Sequence, residues 1–264
     1  MSTKVSKSKT DSRRGELIVL SHRIKLVLRS LFFLGALAAY LLARVHGDPR
    51  PFGVLERSRL LFYGIPICFA LEMLLFRIIP LRLDALGSRK QRKRDFRPIE
   101  GAPRPSRGRL SHGLLPFTLV WVALNLLIGI LALTGVIDRG VLFLVFLFYS
   151  VCDIVCILFF CPIRRWFLKN RCCTTCRIYN WDYAMMCTPL LFLPHPITYA
   201  LFGISLYILL EWEIAFLCHP ERFASACNAS LACEACTEHL CRHNVELRRF
   251  VIRRRRAKAQ AKKK

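Results

Sequence analysis

Residues 114–160 decide the fold. They hold two apolar stretches, LLPFTLVWVALNLLIGILALTGVI at 114–137 and VLFLVFLFYSVCDIVCILFF at 141–160, joined by the tripeptide DRG at 138–140. The hydrocarbon core of a bilayer is about 30 Å thick, and an α-helix needs about 20 mostly apolar residues to cross it. Each stretch has that length, and Asp153 is the only charged residue in either. The segment therefore predicts two consecutive membrane-spanning helices.

The composition of the whole chain agrees with this interpretation. Of 264 residues, 54 % are hydrophobic and 22 % are charged. These fractions are compatible only if apolar and charged residues occupy separate blocks, which excludes an ordinary soluble domain and a disordered chain. The net charge of +24 also predicts an anionic neighbour, such as acidic lipid or nucleic acid.

Three further apolar segments complete the predicted membrane part. Residues 27–45 and 60–79 are each long enough for one span, whereas Pro189, Pro194 and Pro196 divide 184–217 into two pieces that we expect to be too short to cross alone. The predicted fold is all-α: a polytopic integral membrane helical bundle with four spans, a Pro-broken fifth segment and a small Cys-rich, metal-stabilised cytoplasmic module.

The domain organisation follows from these blocks. It comprises a basic N-terminus with an amphipathic lead-in (1–26), four spans (27–45, 60–79, 114–137 and 141–160) with a basic loop (81–112), a Cys-rich loop (161–183), the broken segment (184–217), a second Cys-rich region (218–243) and a polybasic tail (244–264). Within the basic loop, we expect residues 87–112 to be a disordered linker that lies against lipid headgroups.

Orientation follows from the Lys and Arg residues of the connecting segments, because positively charged loops stay in the cytoplasm. Residues 1–26 hold seven, 81–112 hold ten and 161–183 hold five, whereas 46–58 and 138–140 hold two and one. The N-terminus is therefore expected on the cytoplasmic side. We expect the protein itself to lie in a plasma membrane, such as the bacterial inner membrane.

The C-terminal part makes this topology harder to complete. Residues 218–264 hold twelve Lys and Arg and should also be cytoplasmic, yet a single crossing by 184–217 would put them outside. A re-entrant hairpin broken around His195 resolves the conflict, and we favour it. The alternative is one crossing by the uncharged residues 187–210, with Trp181 and Trp212 at opposite interfaces.

Nine of the thirteen cysteines lie between residues 161 and 241. Cys173 with Cys176, and Cys233 with Cys236, form two Cys-x-x-Cys pairs, the spacing that lets two thiolates bind one ion. The sequence therefore predicts one structural zinc site with these four ligands. Further candidate ligands are Cys161, Cys172, Cys227, Cys241 and His219. The cysteines in apolar segments, Cys68, Cys152, Cys156 and Cys187, are interpreted as small core residues.

Two other interpretations of the cysteines remain open. The spacing of Cys227, Cys233, Cys236 and Cys241 loosely resembles a run that binds an iron–sulfur cluster, which would make the chain a membrane redox protein. Disulfides are expected instead if the tail lies outside the cytoplasm, and Asn228-Ala229-Ser230 would then be a glycosylation sequon.

Two acidic residues, Glu72 and Asp153, are predicted at about the same depth within two spans that run in the same direction. Ionisable groups inside a membrane are costly and are usually functional, so the pair suggests a small cation- or proton-coupled transporter. The alternative is a structural pairing, in which Arg29 or Arg77 neutralises the acids.

The polybasic tail is the last candidate site. Seven of its basic residues are predicted to bind anionic lipid headgroups: Arg253, Arg254, Arg255, Arg256, Lys262, Lys263 and Lys264. Nucleic acid is the less favoured partner, because no fold that reads RNA or DNA accompanies the run. No Gly-rich phosphate loop, serine nucleophile elbow or His-Glu-x-x-His motif is present, so the sequence does not predict an enzyme and identifies no protein partner. We expect a binding or scaffolding role at the membrane surface.

Overall fold

The computed structural model describes residues 2–47, 60–78, 96–103, 105–170, 172 and 175–232. Within these ranges the chain forms helices, turns and irregular connections, with no β-strand and one isolated bridge between Pro98 and Asn228. The principal helices are α1 (Ser2–Val45), α2 (Ile65–Ile78), α3 (Leu114–Leu133), α4 (Arg139–Leu158), α5 (Asp182–Cys187) and α6 (Pro196–Cys218). Shorter helical turns are Leu60–Gly64, Arg107–Leu110, Ile163–Phe167, Tyr179–Trp181, Thr188–Phe192, Pro220–Phe223 and Ala229–Leu231.

Four helices of the described chain are long and apolar enough to cross a membrane: Gly15–Val45 of α1, and the whole of α3, α4 and α6. Three of them coincide with the predicted spans 27–45, 114–137 and 141–160. The predicted span 60–79 is instead a π-helical turn followed by α2, and its apolar part, Phe62–Leu74, is shorter than a span.

The expectation that both pieces of segment 184–217 are too short to cross is wrong. Helix α6 runs unbroken for 23 residues, which corresponds to about 35 Å. Pro196 is its first residue, where a missing N–H costs no hydrogen bond, and the side chain of His195 caps the helix by accepting a bond from the N–H of Ile197 at 3.3 Å. The proline therefore begins this helix instead of breaking it.

Helix α1 is also continuous from residue 2 to residue 45, so no break separates the amphipathic lead-in from the span. It packs along α4, and the contacts repeat along both helices. Near the start of α4, the hydroxyl of Tyr40 donates to Asp138 at 2.7 Å, and Asp138 also caps α4 by accepting from the N–H of Val141 at 2.9 Å. Near the other end, Arg29 contacts Asp153. The two helices therefore run antiparallel.

The segment between Trp181 and His195 passes through the bundle beside α6. Leu190 and Leu193 are completely or almost completely buried, and the ring of Phe192 lies so close to Gly129 of α3 that any side chain there would overlap it. The segment starts at the C-terminal end of α6, where Trp181 bonds to Glu213, and ends where His195 stacks edge-on against Phe62. It therefore returns along nearly the whole length of α6.

The linker expected at 87–112 packs against the start of the tail over its described part. The N–H of Ile99 donates to the carbonyl of Cys227 at 3.0 Å, and the N–H of Ala229 donates to the carbonyl of Arg97 at 2.9 Å. Arg107 also donates to the carbonyl of Leu217 at 2.8 Å. These bonds join residues more than a hundred positions apart, which is why the local composition gave no sign of order here.

Candidate functional site

The first candidate site is a buried ion-pair network between α1, α2 and α4. Arg29 is 4 % exposed and donates to Asp153 at 3.0 Å, to the carbonyl of Ser150 at 2.9 Å, and to both carboxylate oxygens of Glu72 at 3.1 and 3.2 Å. The Nζ of Lys25 lies 2.7 Å from Oε1 of Glu72, which therefore has two basic partners. Two cations thus balance the two predicted acids.

The Arg29 guanidinium also faces the ring of Phe69, 5.0 Å from the ring centroid, which adds a cation–π contact. Removing one partner of such a buried pair leaves an uncompensated charge and typically costs about 3–5 kcal/mol. The arrangement chemically suits a bundle-holding role, because both carboxylates already have a basic partner. It brings Glu72 and Asp153 together through one arginine, which is the structural pairing considered from the sequence.

The second candidate site is a cavity of about 290 Å³ at the end of α4, where the loop 161–181 begins. Four cysteines line it, two from α4 (Cys152 and Cys156) and two from the loop (Cys161 and Cys176). Asp153, Asp182 and the aromatic residues Trp121, Phe148, Tyr149 and Tyr179 complete much of the remaining wall. Most of the lining is apolar, so the cavity suits an apolar molecule better than a hydrated ion.

Cys161 and Cys176 have very different chemistry although they share this cavity. The pKa of the Cys161 thiol is lowered to about 7, by a hydrogen bond from Cys156 and by the backbone N–H of Arg164, which donates to the sulfur at 3.4 Å. Burial raises the pKa of the Cys176 thiol to about 12. At neutral pH Cys161 is therefore the nucleophilic thiol of the two.

The structure describes only part of the predicted metal site. Cys173, Cys233, Cys236 and Cys241 lie outside the described residues, so of the four principal ligands only Cys176 is placed. Among the residues with a described position, no group of three or more His, Cys, Asp or Glu side chains is arranged to hold a metal ion. Cys227 lies elsewhere, with its thiol donating to the carbonyl of Pro103 at 3.3 Å, and His219 lies 3.1 Å from Glu221.

The interpretation of the apolar cysteines as core residues needs revision for three of the four. Cys187 is fully buried, but Cys152 and Cys156 are partly exposed and face the cavity, and Cys68 is exposed on α2. A helix face that lines a cavity has the same apolar composition as one that packs against a neighbour. The sequence pattern therefore could not separate the two cases. The basic residues predicted to bind lipid, 253–256 and 262–264, lie outside the described chain.

A set of contacts that the sequence did not predict, which we call the clamp, fixes the Cys-rich loop to the end of α6. Arg177, 6 % exposed, makes a bidentate ion pair with Glu213, and Trp181 donates its indole N–H to the same carboxylate at 2.7 Å. The Arg177 guanidinium stacks 3.7 Å from the ring centroid of Phe216, and the indole of Trp212 donates to the Arg177 carbonyl at 2.8 Å. Glu213 was the sequence signal that could have predicted the clamp. It is an acid near the end of a long apolar helix, and such a residue requires a partner.

The two Cys-rich regions also meet at this end of α6. Trp212, Phe216 and Phe223 form a buried cluster, and Tyr179 and Trp181 pack against it. Phe223 lies four residues before Cys227, and Tyr179 lies three residues after Cys176. We call the described residues within 96–112, 161–181 and 219–232 the loop module.

The fold and these sites define an all-helical protein with four candidate membrane-spanning helices. Comparisons of the chain with protein-family models, with curated proteins and with solved structures returned no match.

Proposed function

We propose that the chain is an integral membrane protein that presents the loop module as a zinc-stabilised binding or scaffolding surface on the cytoplasmic side. The observation that carries the proposal is the aromatic cluster of Trp212, Phe216 and Phe223, on which Tyr179 and Trp181 pack. It holds the flanks of both Cys-rich regions at one end of the bundle. This proximity is what a metal site shared between Cys173, Cys176, Cys233 and Cys236 requires.

The path of residues 181–218 supports a cytoplasmic tail. The segment from Trp181 to His195 leaves the loop module, and α6 returns to it, so the tail begins on the side where the loop 161–181 ends. The bonds of Ile99 and Ala229 likewise keep the basic loop and the start of the tail on one side. Since that loop carries ten Lys and Arg between residues 81 and 112, the positive-inside rule puts this side in the cytoplasm.

Zinc suits the proposed ligands because four thiolates in two Cys-x-x-Cys pairs form a closed tetrahedral site. The Cys176 thiol, whose pKa burial raises to about 12, would need the ion to displace its proton. The buried position of Cys176 within the loop fits a structural ion that water does not reach. Such an ion would tie the segment around residue 173 to the region after Ala232, the last described residue.

The test is the metal content of protein purified in detergent without added metal. We expect about one zinc per chain, and a similarly low zinc content in each of the variants Cys173→Ser, Cys176→Ser, Cys233→Ser and Cys236→Ser, because a tetrathiolate site loses most of its affinity with any ligand. Cys68→Ser is the matched control, since Cys68 lies exposed on α2 and should leave the zinc content unchanged.

Two results would contradict the zinc site. Protein purified without oxygen could show the visible absorption of an iron–sulfur cluster, because zinc–thiolate sites are colourless. Alternatively, the Cys173→Ser and Cys233→Ser variants could each retain half of the metal, which would indicate two separate sites.

For the polybasic tail we propose contact with anionic lipid on the cytoplasmic side, beside the loop module. Ten Lys and Arg stand against one Glu in residues 244–264, and each basic residue near an acidic surface contributes about 1 kcal/mol. A peptide of these residues should bind vesicles that contain acidic lipid, and the binding should weaken as salt is raised. Tight binding to RNA at the same salt, with no vesicle binding, would reverse the assignment of the partner.

A further inference from the structure

Asp182, at the start of α5, differs from the acids of the ion-pair network and of the clamp. Each of those acids bonds to an arginine. Asp182 is partly buried and forms no ion pair with a described residue, and its carboxylate accepts the N–H of Tyr183 at 2.9 Å. A carboxylate without a cation is costly in apolar surroundings. The group relieves that cost either by keeping its proton or by binding a positively charged ligand.

The surroundings of Asp182 are the cavity of about 290 Å³, in which four aromatic rings form what we call the aromatic wall. The ring centroids of Trp121 from α3 and Tyr149 from α4 lie 5.1 Å apart, and that of Phe148 lies 6.4 Å from Tyr149. Tyr179, three residues before Asp182, supplies the fourth ring. The faces of such rings attract cations, most strongly where water is excluded.

The cavity is half-open and not an enclosed void, so its wall can be reached from outside the protein. Phe148 is 50 % exposed and brings the aromatic wall to the surface of α4. Met185 and Met186 line the cavity on the side of α5, and their flexible thioethers can adapt to the shape of an apolar group. The lining thus combines a large apolar area with one acid that lacks a cation.

We propose that this cavity binds an organic ammonium ion with an apolar body, and that Asp182 is its counter-ion. The aromatic wall contacts the positive group from a second side, and the methionines contact the apolar body. The proposal goes beyond the zinc-stabilised scaffold and does not depend on it. It also differs from the transport interpretation of Glu72 and Asp153, because both of those acids already have basic partners.

The two other charged residues of the wall, Asp153 and Arg164, limit the charge of the ligand. Arg29 balances Asp153 at 3.0 Å, so Asp182 remains as the counter-ion. Arg164 carries the same sign as the ligand and repels it. A ligand with a single positive charge and a neutral apolar body therefore fits this wall better than a dication.

The experiment measures binding of 2-phenylethylammonium to the full-length protein in detergent by isothermal titration calorimetry, after subtraction of the heat of mixing with empty micelles. We expect saturable binding of about one ligand per chain. The neutral alcohol 2-phenylethanol has nearly the same shape without the charge. It should bind at least about tenfold more weakly, because a hydrogen bond between charged groups is worth more than a neutral one.

The variant Asp182→Asn removes the charge but keeps an oxygen that can accept the N–H of Tyr183. It should weaken binding of the ammonium at least about tenfold and leave binding of the alcohol nearly unchanged. Glu100→Gln is the matched control, because Glu100 is exposed and does not line the cavity, and this variant should bind both compounds as the wild type does.

A second variant, Ile157→Trp, tests the location of the site. Ile157 lines the cavity from α4, and the larger side chain fills the cavity while leaving Asp182 in place. It should weaken binding of the ammonium and of the alcohol alike. The melting temperature of each variant in detergent shows whether it is folded. The comparison of the two compounds on the wild type needs no variant, so it decides the role of the charge even if Asp182→Asn does not fold.

Three results would overturn the proposal. The first is equal affinity of the wild type for the ammonium and the alcohol. The second is wild-type affinity for the ammonium in folded Asp182→Asn. The third is the absence of saturable binding both of 2-phenylethylammonium and of the quaternary ion phenyltrimethylammonium. Each of these results leaves the zinc content of the protein untouched, so this proposal and the zinc-stabilised scaffold fail separately.

Discussion

At the scale of single residues, Arg29 decides how the membrane part is held together. It reaches Glu72 on α2 and Asp153 on α4 from its position on α1, so three helices meet at one side chain. Because these side chains are largely buried, each charge depends on its partners for stabilisation. The network thereby gives the three helices a fixed relative depth, which apolar packing alone does not specify.

The variant Arg29→Met tests this role. It leaves Asp153 without its charged partner, and we expect a loss of about 3–5 kcal/mol of stability, seen as a strongly lowered melting temperature in detergent. The double variant Arg29→Met with Asp153→Asn should recover much of the loss, because the Lys25–Glu72 pair, 2.7 Å apart, then remains balanced.

Arg139→Met is the matched control for the loss of one arginine. Arg139 is exposed at the start of α4 and should tolerate the change with little effect on the melting temperature. If Arg29→Met and Arg139→Met melted at the same temperature as the wild type, the network would not hold the bundle, and the transport interpretation of Glu72 and Asp153 would gain weight.

At the scale of elements, the junction before α3 shows how a loop and a helix constrain each other. Gly113 precedes α3 with φ +77°, a left-handed conformation that favours glycine. A Cβ atom there would lie 2.0 Å from the carbonyl oxygen of Phe167 in the loop 161–181. Phe167 in turn packs its ring against Phe117 of α3. The close approach of Gly113 to the Phe167 carbonyl thus packs the start of the Cys-rich loop against α3.

Gly113→Ala should therefore destabilise the protein by about 2–4 kcal/mol, the sum of backbone strain and overlap with the carbonyl. Gly135→Ala separates these two causes, because Gly135 has the same φ of +77° but open space around it. The Gly135 variant should lose only about 1 kcal/mol. Thermal unfolding in detergent measures both, and equal losses would show that the contact with Phe167 contributes nothing.

At the scale of the whole molecule, the contacts between distant loops determine the proposed topology. Residue 99 bonds to residue 227 and residue 107 to residue 217, so the basic loop and the tail share one side. The turn between α3 and α4, which contains the 72 % exposed Val136, lies at the opposite end of these helices. A label that cannot cross the membrane therefore distinguishes the two ends.

We expect Val136→Cys to add labelling by an impermeant maleimide in intact cells, above the level of the wild type. Ser106→Cys, at an exposed position of the loop module, should add labelling only after the cells are permeabilised. Labelling of Ser106→Cys in intact cells would place the loop module outside. The Cys-rich regions would then meet an oxidising compartment, and disulfides would replace zinc as the expected chemistry.

The membrane-crossing length of α1, α3 and α4 could be predicted from the sequence, as could the charge asymmetry of the loops. Both are local properties: apolar length and charge can be counted along the chain without knowing any contact. The acids Glu72 and Asp153 were identified for the same reason. The role of Pro196 was misread, because a proline that starts a helix and one that breaks a helix have the same local sequence.

Only the tertiary structure decided which side chains meet. The bond from Arg29 to Asp153 spans 124 positions, and the bond from Cys227 to Pro103 spans the same number. The clamp of Arg177 on Glu213 and the cavity between α4 and the Cys-rich loop likewise join separate elements. Such contacts depend on which helices of similar apolar composition pack against each other, and hydropathy carries no information on that pairing. The sequence by itself thus determined three of the four candidate membrane-spanning helices, α1, α3 and α4, and packing decided which charges and thiols the segments bring together.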